Sequence, residues 1–334
     1  MKYMKFIVAL IVVLFAVSAA WLSPKPKTES DYLLDTYVSV TVYDGDKHAT
    51  KAVLNEVREI HNRFSAFLPE SEVAKINRAE AGVPTPVSAE CFRLIERAVE
   101  LSCITEGAFD ITVKPVMDLW DFSGIPHVPT QEELDEVLTF VDYQAILLDE
   151  KTYTVTKTKE HMQMDLGAIA KGYASDRAVE ILKSMGVTNA VLDFGGNVVT
   201  LGEKPLGLWE RIRAGRKTVP FTVGIQKPGE VRGTVAETIT TKTSPCAVVT
   251  SGGYERNFTE NGKNYHHIID PKTGKQPEHN MISVTVVSED ATAADALSTA
   301  IFVLGKDGVK LAEGLFEEII IMTEQGEIQR FTKE

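Results

Sequence analysis

Met164-Asp165-Leu166-Gly167-Ala168-Ile169-Ala170-Lys171-Gly172-Tyr173 is the stretch on which the fold turns. Residues 162–165, which lead into its turn, read as a strand. After it, Ala170, Ala174, Ala178, Ile181, Leu182 and Met185 recur on one side, opposite Lys171, Ser175, Arg177, Glu180 and Lys183, up to Gly186. That spacing predicts a helix over 169–185, ended by glycine. A strand-to-helix turn at Gly167 would free backbone groups at a helix start, a geometry suited to anions and metal-facing carbonyls. Taken alone, the segment reads equally well as an ordinary turn with Lys171 in solvent.

Outward from this turn the chain has two characters. Residues 32–142 are mainly helical, with one short strand at 37–43 and amphipathic stretches at 49–62, 72–77, 89–103 and 132–140. Beyond 145 strands dominate, at 145–148, 152–156, 190–194, 221–226, 235–240, 247–250, 265–269, 282–287 and 319–323. A second helix is expected at 292–304, capped by Ser288 or Asp290. Strands mixed with segregated helices, without repeats, argue an α+β fold in one intertwined unit.

With 334 residues, 44% of them hydrophobic, the chain can bury a sizeable core. Thirty-five Lys and Arg against 47 Asp and Glu give a net charge of −12, so the overall field repels phosphate backbones and nucleic acid is not an expected partner. Lys2 and Lys5 precede an apolar run, Phe6 to Ala20, with small residues at its end. Residues 1–22 therefore read as an export signal or N-terminal membrane anchor, 23–31 as a linker and 32–334 as the folded domain. Cleavage would remove both lysines and bring the net charge to −14. The expected location is the outer face of the cytoplasmic membrane or the periplasm, without lipidation, since the first cysteine is Cys91. Cys91 and Cys103 share one predicted helix, about 18 Å apart, and cannot bridge.

The sequence lacks G-x-G-x-x-G, G-x-x-x-x-G-K-[ST], H-E-x-x-H, G-x-S-x-G and paired C-x-x-C, which removes the common nucleotide, zinc and serine-hydrolase readings. Besides the opening stretch, three clusters carry chemistry. Asp193-Phe194-Gly195-Gly196-Asn197 ends a strand, as a tight turn or a place of close ligand approach. Thr250-Ser251-Gly252-Gly253-Tyr254-Glu255-Arg256 is followed by His266-His267-Ile268-Ile269-Asp270-Pro271-Lys272-Thr273-Gly274. The adjacent histidines point to opposite faces of a strand, so at most one faces a site. Asp295-Ala296-Leu297-Ser298-Thr299 sets a carboxylate and a hydroxyl at i and i+4 on an alanine-rich helix, oxygen ligands suited to Mg²⁺.

In order and wording these clusters resemble the FAD:protein FMN transferase (ApbE) family, from about Leu34 to Gly305. Asp35-Thr36, Arg63-Phe64-Ser65-Ala66-Phe67, Ser71-Glu72-Val73-Ala74-Lys75-Ile76-Asn77 and Gly107-Ala108-Phe109-Asp110-Ile111-Thr112-Val113 carry the resemblance with them. It implies a T-fold-like α+β enzyme that binds FAD and Mg²⁺, transfers FMN to a threonine hydroxyl of a partner protein and releases AMP. The implied metal ligands are Asp295, Thr299 and the Ala168 carbonyl. His267, Asp295 and Lys171 are the implied catalytic groups. The implied flavin and nucleotide contacts are Phe67, Phe109, Asp110, Lys171, Asp193, Asn197, Ser251 and His267. Phe67 replaces the family's usual tyrosine, keeping the ring without the phenol.

The acceptor implied by the resemblance is a threonine-bearing subunit of a membrane redox complex. Two other readings stay open: an exported FAD pyrophosphatase giving FMN and AMP, and a non-catalytic exported flavin-binding protein, against which Asp295 and Thr299 argue. The basic stretch 202–218, with Arg211, Arg213, Arg216 and Lys217 around Trp209, reads as a solvated loop or a contact for an acidic surface.

Overall fold

Eight strands build the main sheet, neighbours in space following their order in the chain: β1 (Lys27–Leu33), β2 (Thr36–Val42), β3 (Ala190–Phe194), β4 (Asn197–Leu201), β5 (Cys246–Gly252), β6 (Met281–Ser288), β7 (Glu318–Thr323) and β8 (Ile328–Thr332). Every neighbouring pair is antiparallel. The computed structural model describes residues 25–122, 124–231 and 233–333, so the expected export segment, residues 1–22, lies outside the described residues. No helix among the described residues is long and apolar enough to cross a membrane.

Helices α1 (Ala49–Phe64), α2 (Glu72–Arg78) and α3 (Ala89–Ile104) follow β2. Helix α4 (Ala170–Ser184) leads to β3, and α5 (Ala291–Leu304) joins β6 to β7. Side-chain caps start three of them: Ser71 accepts from Ala74 N, Ser88 from Cys91 N and Asp290 from Ala293 N. Of the two caps expected for α5, Asp290 fills the place, and Ser288 instead accepts from Asp290 N.

The period of two along the strands divides the interior in two. Val38, Val40, Leu192, Val199, Ala247, Val249, Val284 and Ile319 face α1, α4 and α5 in the larger core. Cys246, Val248, Val287, Ile320 and Met322 face the hairpin Thr222–Gln226/Val235–Thr240, which contributes Val223, Ile225 and Ile239. Helix α5 is buried nearly all round, between α4, α3 and the sheet, which its Ala-rich sequence permits. A third cluster joins Val116, Trp120 and Leu134 to Ile269.

The α+β fold is as expected, with four corrections. Residues 27–31, placed in the linker, belong to β1: its outer face is polar, with Thr28 bonded to Thr41 and Ser30 to Ser39, and gave no apolar alternation to read. Residues 162–165 are not a strand. Met162 and Met164 are buried, but Met164 exchanges backbone bonds with the Asn77 side chain, leaving one bridge, Val113 to Gln163. The strand expected at 265–269 is Lys263–His266, whose last residue pairs with Asn257, the first of its partner Asn257–Glu260. The stretch 202–218 is no plain loop: Lys204–Pro205 pairs with Thr218–Val219 and carries a short helix, Leu208–Ala214. Cys91, Cys103 and Cys246 are all free thiols.

Candidate active site

Helices α4 and α5 touch at Gly172, where a Cβ would stand 2.2 Å from the Ala291 carbonyl oxygen and 2.9 Å from Asp295 Cβ. Only glycine admits that approach. The contact seats Asp295, 3% exposed, against α4. Gly172 N–H donates to its Oδ2 at 2.9 Å, Asn197 Nδ2 donates to Oδ1 at 2.9 Å, and Lys171 Nζ stands 3.3 and 3.5 Å from the two oxygens. Lys171 Nζ also donates to the Gly167 carbonyl at 3.2 Å. Asn197 reaches this point because Gly195 and Gly196, at φ of 67° and 93°, close a two-residue hairpin between β3 and β4.

One turn along α5, Ser298 and Thr299 share the face of Asp295. Ser251 at the end of β5 lies 2.8 Å from Ser298 Oγ and 3.2 Å from Thr299 Oγ1. The structure thus brings together Lys171, Asn197, Ser251, Asp295 and Thr299 from four elements.

Beyond Lys171 a cleft opens, lined by Leu34, Phe64, Phe67, Asp165, Leu166 and Lys171. Phe67, 64% exposed, stands at its rim with Lys114 Nζ 4.9 Å from its ring centroid. Lys114 is itself held by both oxygens of Asp118, at 2.7 and 2.6 Å. Burial raises the Asp165 carboxyl above its ordinary range, against the Gly167 N–H that favours its charge.

His267, half-buried, has its pKa pushed down to about 4 by burial, with Arg256 and Lys171 among the cations adding to the effect. Its Nδ1 lies 3.3 Å from the Arg256 carbonyl. His266 is also lowered to about 4, chiefly by burial, and packs edge-on against Phe302 in the interior.

Three expected contact residues face the scaffold. Phe109 lies in the larger core. Asp110 accepts from Thr112 N and Oγ1, both 2.7 Å, and from Tyr143 N at 3.0 Å, fastening two loops together. Asp193 accepts from Gly196 N at 2.9 Å and steadies the hairpin.

Sequence reasoning missed Ser298, Lys114 and Asp176. Asp176 accepts from Ala291 N, Thr292 N and Thr292 Oγ1 at 3.1, 2.8 and 2.5 Å, tying α4 to the start of α5, and burial raises its pKa to about 6. Its signal was present: Gly172 and Asp176 lie four apart, on one face of α4. A groove of about 460 Å³ between α3, α4 and the start of α5 is larger than the cleft, but its arginines are paired, Arg93 with Glu150, Arg97 with Asp290 and Arg177 with Glu180. Asp176 lines it too, with its oxygens already taken by Ala291 and Thr292.

The donor set fits a hard cation. Asp295 and Thr299 offer oxygens, and the Gly172 N–H that would close a helical bond to Ala168 O donates to Asp295 instead, leaving that carbonyl to another partner. Among the described residues no three His, Cys, Asp or Glu side chains could hold a metal together, so a cation at Asp295 would rest on one carboxylate and neutral oxygens.

A buried carboxylate, an ammonium and hydroxyls lie together beside an aromatic-rimmed cleft, the arrangement of an enzyme site. The family model of the ApbE family matches residues 34–321. The FAD:protein FMN transferase of Klebsiella pneumoniae is 32% identical over 277 residues, 83% of this chain and 82% of that one. That of Treponema pallidum is 33% identical over 290 residues, covering 83% and 78%. The crystal structure of the ApbE protein from Thermotoga maritima superposes with a TM-score of 0.79 at 35% identity, over 93% of this chain and 97% of that one. The chain belongs to the ApbE family and is an enzyme of the FAD:protein FMN transferase type.

Proposed function

We propose that the enzyme moves the FMN moiety of FAD onto a threonine hydroxyl of a partner protein, in a Mg²⁺-dependent reaction that releases AMP. The observation that carries this reading is the clamp on Asp295, a nearly buried carboxylate held by Gly172 N–H, Asn197 and Lys171 with hydroxyls alongside. Simple capture of a flavin needs only a ring surface such as Phe67 supplies.

In the reaction the phosphoanhydride bond breaks between the FMN phosphorus and the AMP oxygen, and a new bond forms from the threonine oxygen to that phosphorus. Phe67 packs on the flavin at the rim. Lys171 sets a positive charge against the diphosphate, in a partly dry site where charge counts more than in water. Asp295, Thr299 and the Ala168 carbonyl would hold Mg²⁺, which neutralises phosphate charge and stabilises the leaving oxygen when bound. His267, neutral at neutral pH, donates Nδ1–H to the Arg256 carbonyl and keeps Nε2 free to take the hydroxyl proton.

The acceptor we propose is an exposed threonine in a subunit of a membrane redox complex, and the place of work is outside the cytoplasmic membrane, from the charged and apolar residues 1–22. The test incubates the chain with FAD, Mg²⁺ and a threonine-bearing acceptor peptide, measuring AMP and peptide mass. Transfer gives AMP and a peptide heavier by the FMN moiety. AMP and free FMN with unchanged peptide would replace transfer by hydrolysis.

A further inference from the structure

We propose that the helix Leu208–Ala214 and the residues flanking it are a docking surface for an anionic lipid bilayer. Trp209 and Ile212 are each 57% exposed, on one face of this helix. In the same segment Lys204, Arg213, Arg216 and Lys217 are exposed, and none of these four forms an ion pair with another described residue. Residues 203–217 hold five Lys and Arg against two Glu, net +3 in a chain of net −12. Both glutamates are engaged locally: Glu210 accepts from Gly207 N at 2.7 Å, and Glu203 accepts from Thr218 Oγ1. An exposed aromatic and an exposed aliphatic side chain on a short helix flanked by cations make the pattern of an interfacial helix on acidic lipid.

The register of the sheet supplies a second, independent argument. Lys27 pairs with Val42, Val42 with Ala190 and Ala190 with Leu201, so these four lie in one row across β1 to β4. Three strand spacings put the start of β1 about 14 Å from the point where the basic segment leaves β4. The apolar run Phe6–Ala20, read as an export segment or anchor, joins the chain just before that row. The segment is anchored by Leu206, which is buried. Asn197 pairs with Phe194 at the other end of β3 and β4, about 13 Å away, so docking here turns the catalytic end away from the lipid. An acidic protein would satisfy the charges, but it gives no consequence to the nearness of the start of β1 to the basic segment.

The test uses the full chain with Trp21→Phe, so that Trp209 is the exposed indole; Trp120 is buried and bonded to the Gly274 carbonyl. Brominated vesicles of phosphatidylglycerol and phosphatidylcholine quench an indole seated among their chains. We expect quenching at least twofold stronger on the anionic vesicles, falling to the neutral level in 0.5 M salt and in the triple variant Arg213→Glu, Arg216→Glu, Lys217→Glu. Circular dichroism and transfer to a soluble peptide should match the parent. Equal quenching on both lipids, unaffected by charge reversal, overturns the proposal, as does capture of an acidic protein with no quenching on either lipid.

Discussion

The Gly172 N–H meets Asp295 Oδ2 at 2.9 Å across the seam between α4 and α5, where the Ala291 carbonyl would stand 2.2 Å from a Cβ on Gly172. Packing and chemistry therefore share one contact. The close approach that seals the core also delivers a donor to the carboxylate and turns that N–H away from Ala168.

Gly172→Ala should accordingly cost both stability and rate. Neither backbone oxygen nor Asp295 Cβ is a flexible end that can swing aside, so α4 and α5 must part. Overpacking of this kind costs about 1–3 kcal/mol. Thermal unfolding should show a lowered midpoint, and kcat should fall more than FAD affinity because Asp295 is displaced from its donors. An unchanged midpoint would mean that the helices do not meet so closely.

Asp176 and the adjacent histidines make opposite contributions to stability across acid pH. Asp176, with its pKa raised to about 6 from an ordinary 3.8, binds more protons folded than unfolded between those values, so its own penalty is relieved as pH falls from 7 to 4. His266 and His267, lowered to about 4 from 6.5, bind fewer protons folded, so they take stability away as pH falls through the same window. Denaturant melts at pH 7.5 and 5 should then show His267→Gln gaining on the parent at the lower pH. Asp176→Asn should instead lose ground to the parent there, by on the order of 1 kcal/mol. The opposite signs would place both charges wrongly.

Phe67→Ala should weaken FAD binding with little effect on kcat. The ring is at the cleft rim, outside the Asp295 cluster, and an aromatic contact of this kind is worth about 0.5–1.5 kcal/mol beyond its area. Titration calorimetry should give a dissociation constant raised on the order of tenfold. Phe67→Tyr should bind at least as well as the parent. A parental constant for Phe67→Ala would take the flavin away from this rim.

How much of this was legible in the sequence depends on what each element contacts. Helices α4 and α5 were readable because Ala170, Ala174 and Ala178, and the alanines around Asp295, repeat at helical spacing against a core. Asp295 with Thr299 was readable as an i, i+4 pair. Strand β1 was not, because Thr28, Ser30 and Tyr32 spend one face on solvent. The link from Asn197 to Asp295 spans 98 residues and depends on two glycines closing a hairpin, which no local pattern reports. Phe109 and Asp110 carried the family wording yet serve the core and the 142–143 loop, since a motif records that residues recur together without recording which way they face.

Asp295→Asn should separate binding from chemistry. FAD presents flavin and adenine surfaces that do not depend on the carboxylate, whereas attack at phosphorus needs charge neutralisation that is strongest in the transition state. Asparagine keeps one oxygen for either Asn197 or Gly172 but leaves Lys171, 3.3 Å away, without its counter-ion. It also removes the charge that would retain Mg²⁺. Transfer should drop by on the order of 10²-fold or more, comparable to the loss of a major electrostatic stabiliser, and affinity for FAD should fall less. Excess Mg²⁺ should restore part of the rate. Transfer at the parental rate under limiting Mg²⁺, or FAD affinity lost in full proportion to rate, would take Asp295 out of the metal's coordination.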